Sequence, residues 1–555
     1  MRWKIVVAFD EGYQIMQKKS LFFLLILTVF GLHVMTGCPG CNFWSKPKLP
    51  IVNPTRYLET GGEIWEQINL KGEPSGFQHT TVVKKQDEQN GEIFEITQET
   101  VIQANRFDRH VQNSQKTIVH QKPDGTLIKA QNTVQSLDRQ PVVTIFAMDE
   151  HGKMAVHSTV DSVSGEIDAD AVPHTREIDW KPETLGPFAV LFSLWQNPMK
   201  TGESRNVRYF DVMFEEIVQV EMNAEKIETI SYYNDETTLL RINAVLKNDR
   251  QTIAVFTFWT DVNGNIVKTV FPSQEMEIVL STREKVKAAN TNPGNVNVIL
   301  QALVPVQGMI NNPRETKQTV FRVQWIGDKN QPLATSPLAQ MIPQSAFQTV
   351  REAGPDVVEV TVTSSRQDSL SELGAFVPQM PKETTEKGDQ ESNEWLQANY
   401  PNIVKLANVA SENTFVPQVA VDLEKFVHDK LQQVDYSDSF AAAGDVARTL
   451  KGDSAAYAVL LAAVARARNI PSRVVSGLVY TQTKTGEGVM VFHFWTELYV
   501  DGHWHSFDAT LGRGGTDASR IILARSNLAN EPISSLLMPM MTLAGHVQVT
   551  IMETK

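Results

Sequence analysis

The sequence predicts an α+β protein, with a large antiparallel β N-terminal region followed by an α+β domain. Three observations predict it. From about Thr60 to Ser281 polar and apolar residues alternate at period two, and turn dipeptides interrupt the alternation. Past about residue 395 the apolar spacing becomes helical. Within that second region an Ala-rich run, apolar almost all round, leads into a strand and then a tight hairpin.

Composition bounds what the chain can do. It has 555 residues, enough for three or four domains at about 150 residues each. With 51 basic and 64 acidic residues its net charge is −13. An acidic surface without a basic stripe repels phosphate backbones, so nucleic acid is not an expected partner. The two cysteines, Cys38 and Cys41, lie near the start, and residues 42–555 contain none. That leaves the body of the chain without a disulfide, a cysteine metal site or a cysteine nucleophile.

The first segment reads as an export signal. Leu21–Leu32 (LFFLLILTVFGL) follows Lys18 and Lys19 and is too short for a membrane span, but fits the apolar core of a secretory signal. Met35-Thr36-Gly37-Cys38 resembles a bacterial lipobox, in which the cysteine is lipidated and becomes the first mature residue. An exported protein anchored to the membrane through a lipidated Cys38, in the periplasm or at the cell surface, is the expectation. An uncleaved signal anchor is the plainer reading of the same run. The fifteen residues before Met16 do not resemble a signal, so Met16 is a second candidate start.

Cys41–Pro54 is Pro-rich and reads as a tether. Strand-like runs follow, among them Glu92–Ile96, Thr117–His120, Val142–Phe146 and Ile253–Thr260. The turns are Asn90-Gly91, Asp124-Gly125, His151-Gly152 and Asn263-Gly264. They imply hairpins in one large twisted sheet or sandwich. Lys285–Asn297 reads as a boundary, Val320–Trp325 and Val357–Thr363 as strands of a smaller β unit, and Arg366–Glu394 as an exposed linker. Val419, Leu423, Phe426, Val427, Leu431 and Val434 predict an amphipathic helix over Pro417–Val434. Ala441–Leu450 is a second short helix and Ser454–Arg468 a central buried one, ended by Asn469 and Pro471. Ser472–Tyr480 reads as a strand. Val491–Val500 and His503–Asp508 form a hairpin about Asp501-Gly502.

The hairpin register brings two chemical groups together. With Asp501-Gly502 as a two-residue turn, Trp495 pairs with Asp508, and His493 becomes a diagonal neighbour of Asp508 on the same face. A His oriented by an Asp is the base half of a triad. Ser454 opens the buried helix, where the positive end of the dipole favours an anion. Ser454, His493 and Asp508 are thus candidate nucleophile, base and orienting group. Each has a plainer role too: Asp453 and Ser454 as helix caps, His493 as a core histidine, Trp495 and Trp504 as packing, Glu497 as a cross-strand partner. His503 and His505 form an H-x-H facing away from His493 without a third ligand, so neither a metal nor a cofactor is expected.

Lys451–Tyr480 and Phe492–Thr510, with Phe440–Leu450 before them, resemble the bacterial transglutaminase-like domain, which shares its core with papain-type cysteine proteases. Asn469-Ile470-Pro471-Ser472-Arg473-Val474 matches that family's Gly-Ile-Pro-x-Arg-Val turn, with Asn in the glycine place. His493, Trp495 and Glu497 match its His-x-Trp-x-Glu strand, and Trp504 with Asp508 the strand after it. The family's cysteine position holds Ser454. Read end to end, the sequence divides into a signal peptide over 1–37, a tether over 38–59, an antiparallel β domain over 60–284, and a small β domain or extension over 298–365. A linker over 366–394, the transglutaminase-like domain over 395–525 and a C-terminal extension over 526–555 complete it.

Serine changes the chemistry. A thiol beside His⁺ and a helix N-terminus ionises in advance, whereas an alkoxide does not, so serine must lose its proton during attack. The favoured expectation is a silent or weak module that binds a peptide, protein or amide-containing ligand in its cleft. The alternatives are an amide or ester hydrolase or acyl transferase using Ser454, His493 and Asp508, and a structural envelope protein acting through its β-rich region.

Overall fold

The computed structural model describes residues 54–106, 109–136, 142–148, 153–160, 174–181, 183–233, 235–249, 252–272, 275–290, 303–327, 338–366, 383–433, 440–483, 486–529 and 533–555. The signal, the lipobox and the His151-Gly152 turn lie outside them. The chain divides into two units, one ending at Val298 and the other running from Ile299 to Lys555.

The first unit is a single fourteen-stranded antiparallel sheet. After a short helix α1 (Pro54–Thr60), eight strands run up and down: β1 Gly62–Leu70, β2 Glu73–Asp87, β3 Gly91–Arg106, β4 Arg109–Gln121, β5 Leu127–Ser136, β6 Val142–Met148, β7 Met154–Val160 and β8 His174–Ile178. Helix α2 (Ala189–Gln196) follows, then β9 Ser204–Asp211, β10 Glu216–Tyr232, β11 Asp235–Lys247, β12 Thr252–Thr260, β13 Ile266–Phe271 and β14 Met276–Ser281. Strand β1 pairs with both β2 and β14, so the two meanders join into one sheet. The sheet curls, because Phe146 on β6 meets Phe210 on β9 edge to face, with ring centroids 5.1 Å apart. Alternation places Val82, Phe94, Ile96, Val119 and Phe146 inside, packed on Phe192 and Trp195 of α2. At Asn263-Gly264 the glycine has φ +82, and a Cβ there would stand 2.2 Å from the Leu194 carbonyl oxygen, so no other residue fits that turn. Residues Lys285–Ala289, expected within a boundary, belong to helix α3 (Arg283–Ala289), which Thr282 caps.

The second unit is built on a nine-stranded mixed sheet. Its strands are β15 Leu303–Gln307, β16 Gln318–Trp325, β17 Gln348–Gly354 and β18 Val357–Thr363, then β21 Ser472–Gln482, β22 Gly488–Val500, β23 His503–Phe507, β24 Arg520–Ser526 and β25 Val547–Thr554. The order is β17-β18-β16-β25-β15-β22-β21-β24, with β23 on β22. The stretch expected as a small β domain or extension therefore supplies four strands of the sheet that carries the hairpin, and the C-terminal extension supplies a fifth. Helix α4 (Leu338–Met341) lies between β16 and β17. Helices α5 (Pro401–Ala410), α6 (Val416–Lys430) and α7 (Ala443–Thr449) surround α8 (Ser454–Ala467), and α9 (Ser534–Leu543) packs beside β24.

Several expectations shift by a few residues. Helix α6 stops at Lys430 rather than running to Val434, because Gln432–Gln433 (β19) turn away to pair in parallel with Lys451–Gly452 (β20). Val434 lies outside the described residues. Of the expected linker, residues 367–382 also lie outside them, and 383–394 are mostly exposed but anchored at two points. Asp389 is buried and closes a capping box with Glu386, and the Glu383 carbonyl accepts the Tyr499 hydroxyl at 2.5 Å. Helix α8 is the core of the unit, with every residue from Ala455 to Arg466 buried. Arg466 is tolerated there because its guanidinium donates to the carbonyls of Glu391, Ser472 and Asn527.

Candidate active site

The site sits at a break in a sheet edge. Along one side of β22, β15 pairs through Val491 and β23 begins at Thr496. In the gap the Phe494 N–H donates to the Ser454 hydroxyl at 3.4 Å. Helix α8 delivers Ser454 there, as its first residue. Asp453 is the N-cap, its carboxylate accepting from the Ala455 N–H at 3.0 Å. The helix packs on the face of β22 that carries Phe494, Thr496 and Leu498, and Thr496 donates to the Ala458 carbonyl at 2.9 Å. Asp453 caps the helix, and Ser454, the candidate nucleophile, occupies the dipole end.

His493 projects from the other face. The type of turn sets this register, since Asp501 and Gly502 both have positive φ and Val500 pairs with His503. The pairing runs to Thr496 with Phe507, which places Asp508 one step beyond, beside His493. His493 Nε2 and Asp508 Oδ2 are 3.0 Å apart, and both residues are buried. Gly477 on β21 faces His493 across the ladder, and a Cβ on it would stand 2.4 Å from the Trp495 ring. Glycine at 477 therefore lets that ring lie flat beside the histidine.

Asp508 is held on every side. Its Oδ1 accepts from the Thr510 N–H at 3.0 Å and the Thr510 hydroxyl at 2.6 Å. Its Oδ2 accepts from Arg520 at 3.0 Å as well as meeting His493. Arg520 continues to Asp517 at 3.2 Å, and Asp517 to Arg314 at 3.2 Å, so buried charges alternate along the chain. Burial pushes the Asp508 carboxyl up, but His493, Arg520 and Thr510 outweigh it and hold it well below the usual carboxylate range. Asp517 behaves alike, with Arg520 and Arg314 outweighing burial.

Behind Asp508 stands Glu424 of α6, fully buried. It accepts the Asp508 N–H at 2.9 Å and the N–H groups of Gly514 and Gly515. Burial, reinforced by the Asp508 charge, pushes its carboxyl up to about 8. The motif reading missed Glu424, Thr510, Asp517, Arg520 and Arg314. Glu424 did leave a signal, as a lone carboxylate on the apolar stripe of its helix, between Leu423 and Val427. Arg314 left none, because it reaches Asp517 across 203 residues.

The other singled-out residues hold the walls. Glu497 pairs with Arg473 at 2.8 Å, and Arg473 lies over the Trp504 ring at 3.9 Å. Trp495 donates to Ser506 at 3.3 Å. His505 packs on Phe347, and burial followed by the neighbouring His503 holds it down at about 4. Among the described residues no group of three or more His, Cys, Asp or Glu could hold a metal.

Residues 406–509 match the transglutaminase-like superfamily. The second unit carries a transglutaminase-like domain. That match contains Ser454, His493 and Asp508 of this domain. The fold class read from the sequence thus holds in both halves, a large antiparallel sheet and then a mixed α/β transglutaminase-like region. No curated protein matches the chain. Among solved structures, a candidate cysteine protease from Cytophaga hutchinsonii is similar at 13% identity, covering 43% of this chain and 86% of its own, with a TM-score of 0.24. A β-barrel-like protein of unknown function from Brucella abortus covers 40% of this chain and 96% of its own, at 12% identity and a TM-score of 0.27. A candidate protease from Parabacteroides distasonis covers 70% of each chain at 11% identity, with a TM-score of 0.19. Scores this low carry no functional weight.

Proposed function

We propose that the transglutaminase-like domain is a binding module, silent or nearly so in catalysis, that takes an extended peptide or other amide-containing ligand beside Ser454. One observation carries this reading: a single oxygen of Asp508 is divided between His493 and Arg520. Serine attack requires His493 to take up the hydroxyl proton, and the imidazolium so formed leans on the orienting carboxylate. Here a buried guanidinium already compensates that carboxylate, so less of its charge serves the imidazolium. A framework built for a pre-ionised thiolate tolerates this arrangement better than one built for serine.

The second reading is an acyl-transfer hydrolase using Ser454, His493 and Asp508. The buried His493–Asp508 contact and the placement of Ser454 at the helix N-terminus favour it. Fluorophosphonate labelling of the purified protein, read by intact mass, separates the two. The binding module remains unlabelled. Stoichiometric labelling that both Ser454→Ala and His493→Ala abolish overturns it in favour of the hydrolase. We propose further that the protein is exported and anchored through a lipidated Cys38. Mass spectrometry of the mature N-terminus tests this, and a first residue other than a diacylated Cys38 rejects it.

A further inference from the structure

The curled sheet of the first unit forms a half-open pocket of about 240 Å³. That is room for on the order of eight waters, or for a small ligand. Its two walls differ in chemistry. One is a polar ladder across three adjacent strands, Glu66 of β1, Gln78 and Thr80 of β2, and Gln98 of β3. Glu66 pairs with Gln78 and Thr80 with Gln98. The facing wall is apolar, with Phe188, Leu191 and Trp195 at α2 and Phe256 on β12.

Glu66 is the anomaly. On β1 the pleat sends Glu63 and Trp65 outward, where they meet His79 and Arg283. The same pleat sends Ile64 and Glu66 into the cavity. Among the described residues Glu66 has no hydrogen bond and no ion pair, and no lining residue is basic. The other titratable groups in the lining are Tyr57 of α1 and Tyr209 of β9, and Asp211 stands behind Tyr209. Strands β2, β12 and β14 contribute only neutral side chains. A part-buried carboxylate facing an apolar wall without a counter-charge favours a ligand that supplies one.

We propose that this cavity binds a small amphiphilic amine, its ammonium against Glu66 and its apolar body against the aromatic wall. The ligand's cation supplies the charge that the protein withholds. The amide oxygens of Gln78 and Gln98 can accept the remaining ammonium N–H groups, and the aromatic faces add cation–π attraction. An anion finds no cation here. A neutral alcohol gains only the apolar contacts. This assignment is independent of the proposed function of the other unit.

Calorimetric titration of the full chain with n-hexylammonium, hexanol and hexanoate tests it. At pH 8, n-hexylammonium binds at least tenfold more tightly than either of the others. Glu66→Gln removes that preference and leaves hexanol affinity within twofold. Burial holds the Glu66 carboxyl at about 7, so in the wild type n-hexylammonium affinity falls roughly tenfold between pH 8 and pH 6 as the carboxylate is protonated. Equal affinities, a preference for hexanoate or no binding of any probe overturns the proposal. If Glu66→Gln does not fold, a flat wild-type pH profile overturns it alone.

Discussion

Glu424 and Asp508 are two buried carboxyls joined through a main-chain hydrogen bond, the Asp508 N–H donating to Glu424 at 2.9 Å. Their environments drive them apart. Asp508 faces His493 and Arg520 and stays ionised, whereas Glu424 faces only N–H groups and is raised to about 8. Glu424 thus fixes the loop that carries Asp508 without adding a second negative charge at neutral pH. It is a positioning residue for the pair in front of it.

That arrangement makes stability depend on pH with a definite sign. A carboxyl raised from 4.5 to about 8 binds more protons when folded than when unfolded. Its contribution is fully present below about 4.5 and is lost as pH rises through 8, by up to a few kcal/mol. Glutamine keeps an acceptor for the N–H groups and cannot ionise. Thermal midpoints at pH 5, 6.5 and 8.5 are the measurement. The gap between wild type and Glu424→Gln should move steadily in favour of the variant as pH rises. Glu66 has the same sign through about 7, so the difference between proteins is the quantity to read, not the wild-type slope. A constant gap would show that Glu424 is ionised in both states and that burial does not raise it.

Arg520 separates two buried carboxylates, Asp508 at 3.0 Å and Asp517 at 3.2 Å. Arg520→Met fills much of the same volume but leaves Asp517 on Arg314 alone and Asp508 on His493 and Thr510, with no cation between the two carboxylates. Breaking a buried pair in this way costs about 3–5 kcal/mol. In the wild type, the stability that Asp508 lends is present above about 3.8 and is lost as pH falls through its lower folded value. Without Arg520 both carboxylates protonate more readily, so the deficit should shrink in acid. Urea unfolding at pH 7.5 and 4.5 measures it. A loss under 1 kcal/mol, or the same loss at both values, would remove Arg520 from the network's support.

Much of this site was legible in the sequence because its chemistry follows local rules. Asp501-Gly502 fixes a two-residue turn, the turn fixes the ladder, and the ladder puts His493 beside Asp508. Ser454 was legible for a similar reason, because Gly452-Asp453 precedes a run buried on all sides. The supporting charges were not legible. Arg314 joins Asp517 only after β15–β18 enter the same sheet as β21 and β22, and no local pattern signals that pairing. The helical period runs past the end of α6 through Leu431, while the Gln432 N–H is drawn instead to the Leu450 carbonyl at 2.8 Å. Tertiary pairing decided that boundary, not propensity.

Ser454→Cys places a thiol at the N-terminus of α8, and it would be the only cysteine within residues 42–555. The dipole end favours a thiolate, and the triad reading adds His493 as its base. Iodoacetamide should alkylate residue 454 at pH 6.5 at least tenfold faster than an ordinary exposed cysteine, and His493→Ala should remove most of that advantage. A thiol that reacts only as pH approaches 8.5 would mean that the pocket no longer supports ionisation.

Asn469 stands where the family turn has glycine, and the backbone explains both choices. Helix α8 ends in a Schellman motif: the Ile470 N–H donates to Ala465 at 2.9 Å and the Asn469 N–H to Arg466 at 2.8 Å. The motif requires Asn469 in the left-handed region, at φ +58. Asparagine tolerates that region, whereas a β-branched residue there pays about 1–2 kcal/mol. Asn469→Gly relieves the conformation but adds freedom to the unfolded chain, so the two effects nearly cancel, within about 0.5 kcal/mol. Asn469→Val should therefore lose about 1–2 kcal/mol in chemical denaturation while Asn469→Gly stays level. Equal losses in the two variants would instead assign the effect to the asparagine side chain rather than to the backbone.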